Sequence, residues 1–311
     1  MASILITGGT GLVGKVLVKH LLKKNYTVTI LTRNMKDVKE KEGVTYALWD
    51  VKNGTIDTEA VLKADAIIHL AGAGVMDKKW TPDYKKEILE SRTKSSELLI
   101  DTLRKTKHNV KVIVSASAIG WYGEDKIPGH YFTENEPPDQ DFLGEVCLQW
   151  EKSTEPAEQL GIRVCKMRTG IVLSDGGGAY PEFKASLKFG VAAILGSGKQ
   201  VISWIHIDDL CRAYIYALEN EGVKGSYNAV APMPVSNKLL TLTIADKVKG
   251  KGKFYIPVHV PQFVLQTMMG KRSIEILKSA TVSCKKIKDA GFSFLFPDIT
   301  AAVNAIEDKK S

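Results

Sequence analysis

A chain of 311 residues, 44% hydrophobic and 25% charged, has the composition of an ordinary folded protein with room for one large domain or two modest ones. No apolar run approaches the ~20 residues of a membrane span, so no membrane partner is expected. The net charge of +8 does not read as a nucleic-acid surface, because the lysines are interleaved with acids, as in Lys36 to Glu42. The first strand begins almost at Met1, which leaves no room for a signal peptide. Cys147, Cys165, Cys211 and Cys284 lie far apart without metal-ligand spacing, so reduced thiols, a cytoplasmic setting and no metal are expected.

Ile4 to Ile6 form a short apolar strand, glycines follow at Gly8, Gly9, Gly11 and Gly14, and from Lys15 to Lys23 apolar positions recur at helical spacing. Strand, glycine turn and helix together predict a dinucleotide seat, because glycine lets the backbone approach a pyrophosphate and helix N–H groups face its charge. The glycines fit two registers, Gly8-x-x-Gly11-x-x-Gly14 and Gly9-x-Gly11-x-x-Gly14. In either, Thr7, Gly8, Thr10, Gly11, Leu12, Val13 and Gly14 are the candidate contacts. A second strand, Thr27 to Leu31, follows at the spacing of a βαβ unit and ends in Thr32-Arg33-Asn34. An acid there would accept from the 2′-hydroxyl of the adenosine ribose; the arginine suits a 2′-phosphate instead, so NADP(H) is expected rather than NAD.

Val44 to Leu48 reads as a third strand. Asp50 beyond it either accepts from the adenine amino group or forms a turn ahead of Asn53-Gly54. Ala66 to Leu70 reads as a fourth strand, and its end, Leu70-Ala71-Gly72-Ala73, is small enough for a dinucleotide to lie across it. His69 in this apolar run reads as a satisfied core histidine rather than a catalyst. A long amphipathic helix over Asp83 to Arg104 carries Ser91-Arg92, and the strand Val110 to Val114 leads into Ser115-Ala116-Ser117 and then Tyr122-Gly123.

The opening Thr7-Gly8-x-x-Gly11-x-x-Gly14, Leu70-Ala71-Gly72, the Ser-Ala-Ser strand end with Tyr122-Gly123, and Trp204 to Leu210 resemble the extended short-chain dehydrogenase/reductases, the nucleotide-sugar epimerase and dehydratase group. Lys78-Lys79-Trp80 with Ser91-Arg92, Trp150-Glu151, Arg168-Thr169-Gly170, Gly196-Ser197-Gly198, and Ala290-Gly291-Phe292 with Phe296-Pro297-Asp298 narrow the likeness to an epimerase-like family with its own C-terminal domain. The resemblance implies an α/β fold: a Rossmann-type doubly wound parallel sheet over residues 1–170, to which 200–230 returns, and a smaller mixed α/β substrate lobe over 171–311. It implies Ser117 as the serine that orients substrate, with Ser115 as second candidate and cofactor neighbour. Gly170 and Val172 would line the nicotinamide, and Gln200, Ser203 and Trp204 would touch a small-molecule substrate. A monomer and a homodimer are both compatible with it.

The same resemblance asks for a Tyr-x-x-x-Lys pair on the helix that holds Trp150-Glu151, where the lysine lowers the tyrosine pKa so that the phenol exchanges a proton while hydride moves. That pair is missing: one register puts Leu143 and Cys147 in its two positions, and sliding by one helical turn puts Cys147 and Glu151 there. Tyr122 is either a substitute proton donor or a ring packed over the core, and Cys147 either a substitute acid or a small buried apolar residue. Two functions stay open: an NADP-dependent oxidoreductase or epimerase, and an inactive NADP(H)-binding protein that senses redox state or regulates a partner. Asp208 or Asp209, ahead of the helix Leu210 to Leu218, reads as its cap.

Overall fold

The computed structural model describes residues 2–36, 38, 41–250 and 254–308. Its first half alternates strand and helix: β1 (Ser3–Thr7), α1 (Leu12–Lys23), β2 (Thr27–Thr32), β3 (Val44–Asp50), the short β4 (Thr55–Ile56), α2 (Thr58–Leu62), β5 (Ala66–His69), α3 (Pro82–Lys105), β6 (Val112–Ala118), α4 (Phe142–Thr154) and β7 (Arg163–Thr169). The second half is more broken. It runs through β8 (Ile171–Leu173), α5 (Ala179–Ala185), β9 (Val191–Leu195), β10 (Val201–Ile202), β11 (Trp204–His206), α6 (Ile207–Glu219), β12 (Gly225–Ala229) and β13 (Val235–Ser236). It closes with α7 (Asn237–Lys249), β14 (Ile256–Val260), α8 (Gln262–Met269), α9 (Ser273–Leu277), α10 (Lys285–Asp289) and α11 (Ile299–Asp308).

Among the described residues, eight strands join one sheet in the order β12-β7-β6-β5-β1-β2-β3-β4. All pairings from β12 to β3 are parallel, and β4 alone runs antiparallel. This is the Rossmann-type doubly wound arrangement. Alternate residues face opposite helical layers: Ile4, Ile6, Ile68 and Val114 meet Leu17, Leu21, Leu210 and Tyr214 of α1 and α6, while Leu5, Ile67 and Ile113 meet Leu99, Ile100 and Leu103 of α3. Helices on both faces make the strands read as unbroken apolar runs, and β5 is buried at all its positions. The chain leaves β1 for β2 on one side and reaches β5 on the other. The connections therefore diverge, and a crevice opens at the carboxyl ends of β1 and β5.

A separate apolar core, with Leu173, Tyr180, Trp204, Leu240, Ile244, Val303 and Ile306, builds the C-terminal lobe. Around it β8 pairs with β11, β9 with β14 and β10 with β13. One local expectation is corrected here. The side chain that caps α6 is His206, whose Nδ1 accepts from Asp208 N at 3.1 Å. Asp209 is fully buried and accepts instead from Leu295 N at 2.9 Å and Phe296 N at 2.8 Å, pinning the C-terminal segment. All four cysteines are free and buried. No helix among the described residues is long and apolar enough to cross a membrane.

Candidate cofactor and active site

At the carboxyl end of β1, Gly8 holds φ +68°, and a Cβ there would come within 2.9 Å of the Leu70 carbonyl. A left-handed backbone and close contact with β5 both exclude a side chain. A Cβ on Gly14 would fall 2.3 Å from Gly8 O, and one on Gly9 would meet Ile30 at 2.8 Å. Both glycine registers therefore have steric content. Gly11 differs: it is exposed, its nearest obstacle is Gly8 O at 3.3 Å, and as the N-cap of α1 it brings no side-chain bond. With no acid in the first turn of α1, its leading N–H groups stand uncapped at the mouth of the crevice, where an anion is stabilised.

Thr7 ties this turn to β5. Its Oγ1 accepts from Leu70 N and Ala71 N at 3.1 Å each and donates to His69 Nδ1 at 2.7 Å. The other ring nitrogen donates toward Ser95 and Ser96, at 3.2 and 3.1 Å, and both serine hydroxyls donate to Arg92 O. This pattern fits a neutral imidazole protonated at Nε2, and burial lowers the His69 pKa to about 4. Ala73 N donates to Ser91 Oγ at 2.9 Å, so Leu70 to Ala73 is fixed between β5 and α3.

At the tip of β2, Thr32 Oγ1 donates to Asn34 O and accepts from Asn34 N, at 3.1 and 3.3 Å. The turn leaves Arg33 exposed, without a hydrogen bond or ion pair to the described residues. Asp50 spends its carboxylate locally: Oδ1 accepts from Asn53 N and Lys52 N, and Oδ2 accepts from Asn53 Nδ2 at 2.7 Å. These bonds, that from Asn53 N first, hold its pKa below the ordinary value.

Ser115 and Ser117 lie on one face of β6, and both are buried. Ser115 Oγ donates to Ala116 O at 3.1 Å, and Ser117 Oγ donates to Glu151 Oε1 at 2.7 Å. Glu151 forms an ion pair with Arg168, their side chains 4% and 3% exposed, through Nε to Oε1 at 2.7 Å and Nη2 to Oε2 at 3.0 Å. Ser226 Oγ adds a bond to Oε2 at 2.8 Å. Arg168 also lies 3.6 Å over the Trp121 ring and donates from Nη1 to Tyr122 OH at 3.1 Å. Tyr122 gives its own proton to Asn228 Oδ1 at 2.7 Å and stacks on Phe132. Burial pushes its phenol up to about 12. Ser117 and Tyr122 thus share one buried network, and neither turns its hydroxyl proton to the crevice in this structure. Sequence reasoning missed the Arg168–Glu151 pair. The available signal was two charges, one at an inward position near the end of the mixed strand β7 and one beside Trp150 on a helix.

Leu143 and Cys147 of α4 meet the end of β6. A Cβ on Gly120 would lie 3.2 Å from Leu143 Cβ and 3.6 Å from Cys147 Sγ. The thiol reaches Ala118 O at 3.5 Å, and burial raises its pKa to about 12. In the first register the two positions of the absent Tyr-Lys pair are therefore packed with uncharged groups, and in the second the lysine position is Glu151, paired with Arg168. Gly170 joins β7 to β8 just before Val172; a Cβ on it would strike Ser203 O at 2.6 Å. Gly176 to Gly178 passes over the Leu12 methyls, so this segment roofs the start of α1. The three residues assigned to substrate lie inside the C-terminal lobe. Gln200 Nε2 donates to Leu195 O at 3.0 Å, and Trp204 Nε1 donates to Met233 O at 2.9 Å. Ser203 Oγ donates to Ala280 O at 2.8 Å and accepts from Val282 N at 2.9 Å. Backbone groups occupy Gln200 Nε2, Ser203 Oγ and Trp204 Nε1.

A doubly wound parallel sheet with a glycine turn at its switch point and an uncapped helix behind it defines the Rossmann-type class of nucleotide-binding proteins. Within that class the chain belongs to the NAD dependent epimerase/dehydratase family, which residues 4–229 match; residues 260–306 match a domain of unknown function, DUF1731. It is similar to an epimerase family protein of Staphylococcus haemolyticus, 35% identical over 309 residues that cover 99% of this chain and 100% of that one. A Staphylococcus aureus counterpart is 34% identical with the same coverage. Among solved structures it is similar to the human epimerase family protein SDR39U1 with NADPH, at a TM-score of 0.83 and 28% identity, covering 98% of this chain and 99% of that one. A nucleoside-diphosphate sugar epimerase from Corynebacterium glutamicum aligns at a TM-score of 0.76 and 30% identity, over 97% of this chain and 57% of that one. The resemblance and the fold expected from the sequence agree with these findings.

Proposed function

We propose that this chain binds NADP(H) in the crevice between β1 and β5 and acts as an oxidoreductase or epimerase on a small carbonyl or hydroxyl compound. The observation that carries this reading is the glycine turn, in which Gly11 N donates to Gly8 O at 3.0 Å and the first N–H groups of α1 are left for a pyrophosphate. Arg33 at the tip of β2, unpaired among the described residues and flanked by Thr32 and Asn34, supports NADP(H) over NAD through the 2′-phosphate. The human relative solved with NADPH supports the same choice. Leu70 to Ala73 would border the middle of the dinucleotide, with Gly170 and Val172 beside the nicotinamide. Asp50 Oδ2 has room to accept from the adenine while its turn stays intact. When bound, the cofactor supplies hydride exchange. Ser117 and Tyr122 act as positioning groups that hold the end of β6. Four unpaired buried thiols support a reducing, cytoplasmic setting.

A second reading, an NADP(H)-binding protein without turnover, is favoured by one observation: in either register α4 offers no proton-exchanging pair, since Leu143 and Cys147 pack as uncharged groups and Glu151 is held by Arg168 and Ser117. Calorimetric titration with NADPH, NADP, NADH and NAD, repeated on Arg33→Ala, tests the shared part. Tight NADPH binding that the variant weakens about tenfold or more, with NADH weak throughout, is the expected result. Absence of binding by all four overturns it. A screen of carbonyl compounds with NADPH then separates the two readings.

A further inference from the structure

Arg92 of α3 is unlike the other buried charges. Among the described residues, buried Glu151, Lys166, Arg168 and Asp209 each have an oppositely charged partner, whereas Arg92, 8% exposed, has none. Its guanidinium donates once, from Nη1 to Ile88 O at 2.7 Å on its own helix. Trp150 covers one face, with Cζ 4.7 Å from the ring centroid. Gly72 covers another side: a Cβ there would lie 3.1 Å from Cζ and 3.3 Å from Nη1, so the missing side chain is what admits the guanidinium. The titratable groups that act on it, Cys147 and Tyr84, are kept protonated and uncharged by burial. Nε and Nη2 have no protein partner among the described residues, yet they are not sealed from solvent. A cation withdrawn from water among neutral neighbours is destabilising unless an anion joins it. The Nη1 side of the guanidinium lies against Gly72, in the loop that borders the crevice, and the Nε and Nη2 edge keeps some exposure.

We infer that Arg92 is the anion-binding residue of the crevice and takes a carboxylate of the substrate through the open Nε and Nη2 edge. The flat two-donor edge matches the two oxygens of a carboxylate. This deepens the reading above and rests on it for the crevice being the substrate site. In neither register of the missing pair does α4 bring a cation, and Arg92 supplies one from the neighbouring helix instead. The cofactor is the other possible source of oxygens for this edge, and the test separates the two.

Oxalate, a planar dicarboxylate, is titrated into the full-length protein with and without saturating NADPH, for the wild type, Arg92→Met and Arg92→Lys. The expected result is oxalate binding by the wild type, weakened about tenfold or more in Arg92→Met and only partly restored in Arg92→Lys, with NADPH affinity unchanged in both. The thermal midpoint of cofactor-free Arg92→Met should be unchanged or raised, because an unpaired buried charge is removed while the stem still packs. No oxalate binding by the wild type, equal binding by Arg92→Met, or a clear fall in its midpoint overturns the inference. Loss of NADPH affinity in Arg92→Met also overturns it and gives the residue to the cofactor. Failure of NADPH to bind the wild type would instead overturn the cofactor assignment, while Arg92-dependent oxalate binding would stand.

Discussion

Replacing Glu151 by alanine probes the junction of β6, α4 and β7. The carboxylate receives four hydrogen bonds, one from Ser117, two from Arg168 and one from Ser226, at 2.7 to 3.0 Å. Both charges are more than nine-tenths buried. Removing the acid leaves Arg168 as a lone cation in a dry site and strips two serine hydroxyls of their acceptor. Breaking one side of a buried pair costs about 3–5 kcal/mol, and Glu151→Ala should lose that much stability in urea unfolding. Ser117→Ala and Ser226→Ala each remove one hydrogen bond and should cost about 1 kcal/mol. Glu151→Gln keeps the shape but not the charge and should fall between. The double variant Glu151→Leu with Arg168→Met discards both charges, so it should be less destabilised than Glu151→Ala alone. A cost below about 1 kcal/mol for Glu151→Ala, or a double variant as unstable as the sum of its singles, would refute the reasoning.

Gly14→Ala should gain about 1 kcal/mol of helix propensity yet lose more to overlap, because the new Cβ would lie 2.3 Å from Gly8 O. A net loss of about 1–3 kcal/mol, together with weakened NADPH binding, is expected; Gly222→Ala, which meets nothing within 4 Å, is the near-neutral control. His69 gives a signed pH dependence. Its folded pKa is about 4, below the model-compound value of 6.5. The unfolded chain therefore takes up the proton first as pH falls, and about 3 kcal/mol of stability should be lost between pH 6.5 and 4, with no further loss from this group below that. Urea midpoints across that range, compared with His69→Gln, check the slope. All four thiols are buried, those of Cys147 and Cys165 pushed up to about 12, so a thiol reagent should react with the native protein far more slowly than with the urea-unfolded chain.

The glycine turn at the mouth of the crevice was legible in the sequence because its demands are local. Gly8 is required by a left-handed turn and Gly14 by its helix lying on the backbone of that turn, and both leave a mark at the position concerned. The reading of His69 as a core residue also followed from its apolar strand. The carboxyl end of β6 was not legible in the same way. Strand alternation says that Ser115 and Ser117 share a face, but the carboxylate that claims the Ser117 hydroxyl stands 34 positions further along the chain. Asp209 looked like a helix cap from its neighbours, yet its acceptor atoms are taken by backbone 86 and 87 positions away, which leaves His206 to cap α6.

The sequence by itself determined the strand, glycine turn, helix and second strand of the opening βαβ unit, with Arg33 at the tip of β2, because apolar periodicity and glycine placement act over a few residues; the doubly wound sheet came with the family resemblance. Only the tertiary structure decided which polar atoms are already partnered. Ser117, Tyr122, Gln200, Ser203 and Trp204 are occupied, whereas buried Arg92 keeps a free edge. That difference depends on what burial brings together from α3, α4, β7 and the loop after β5, and on the opposite charge that it does not bring to Arg92.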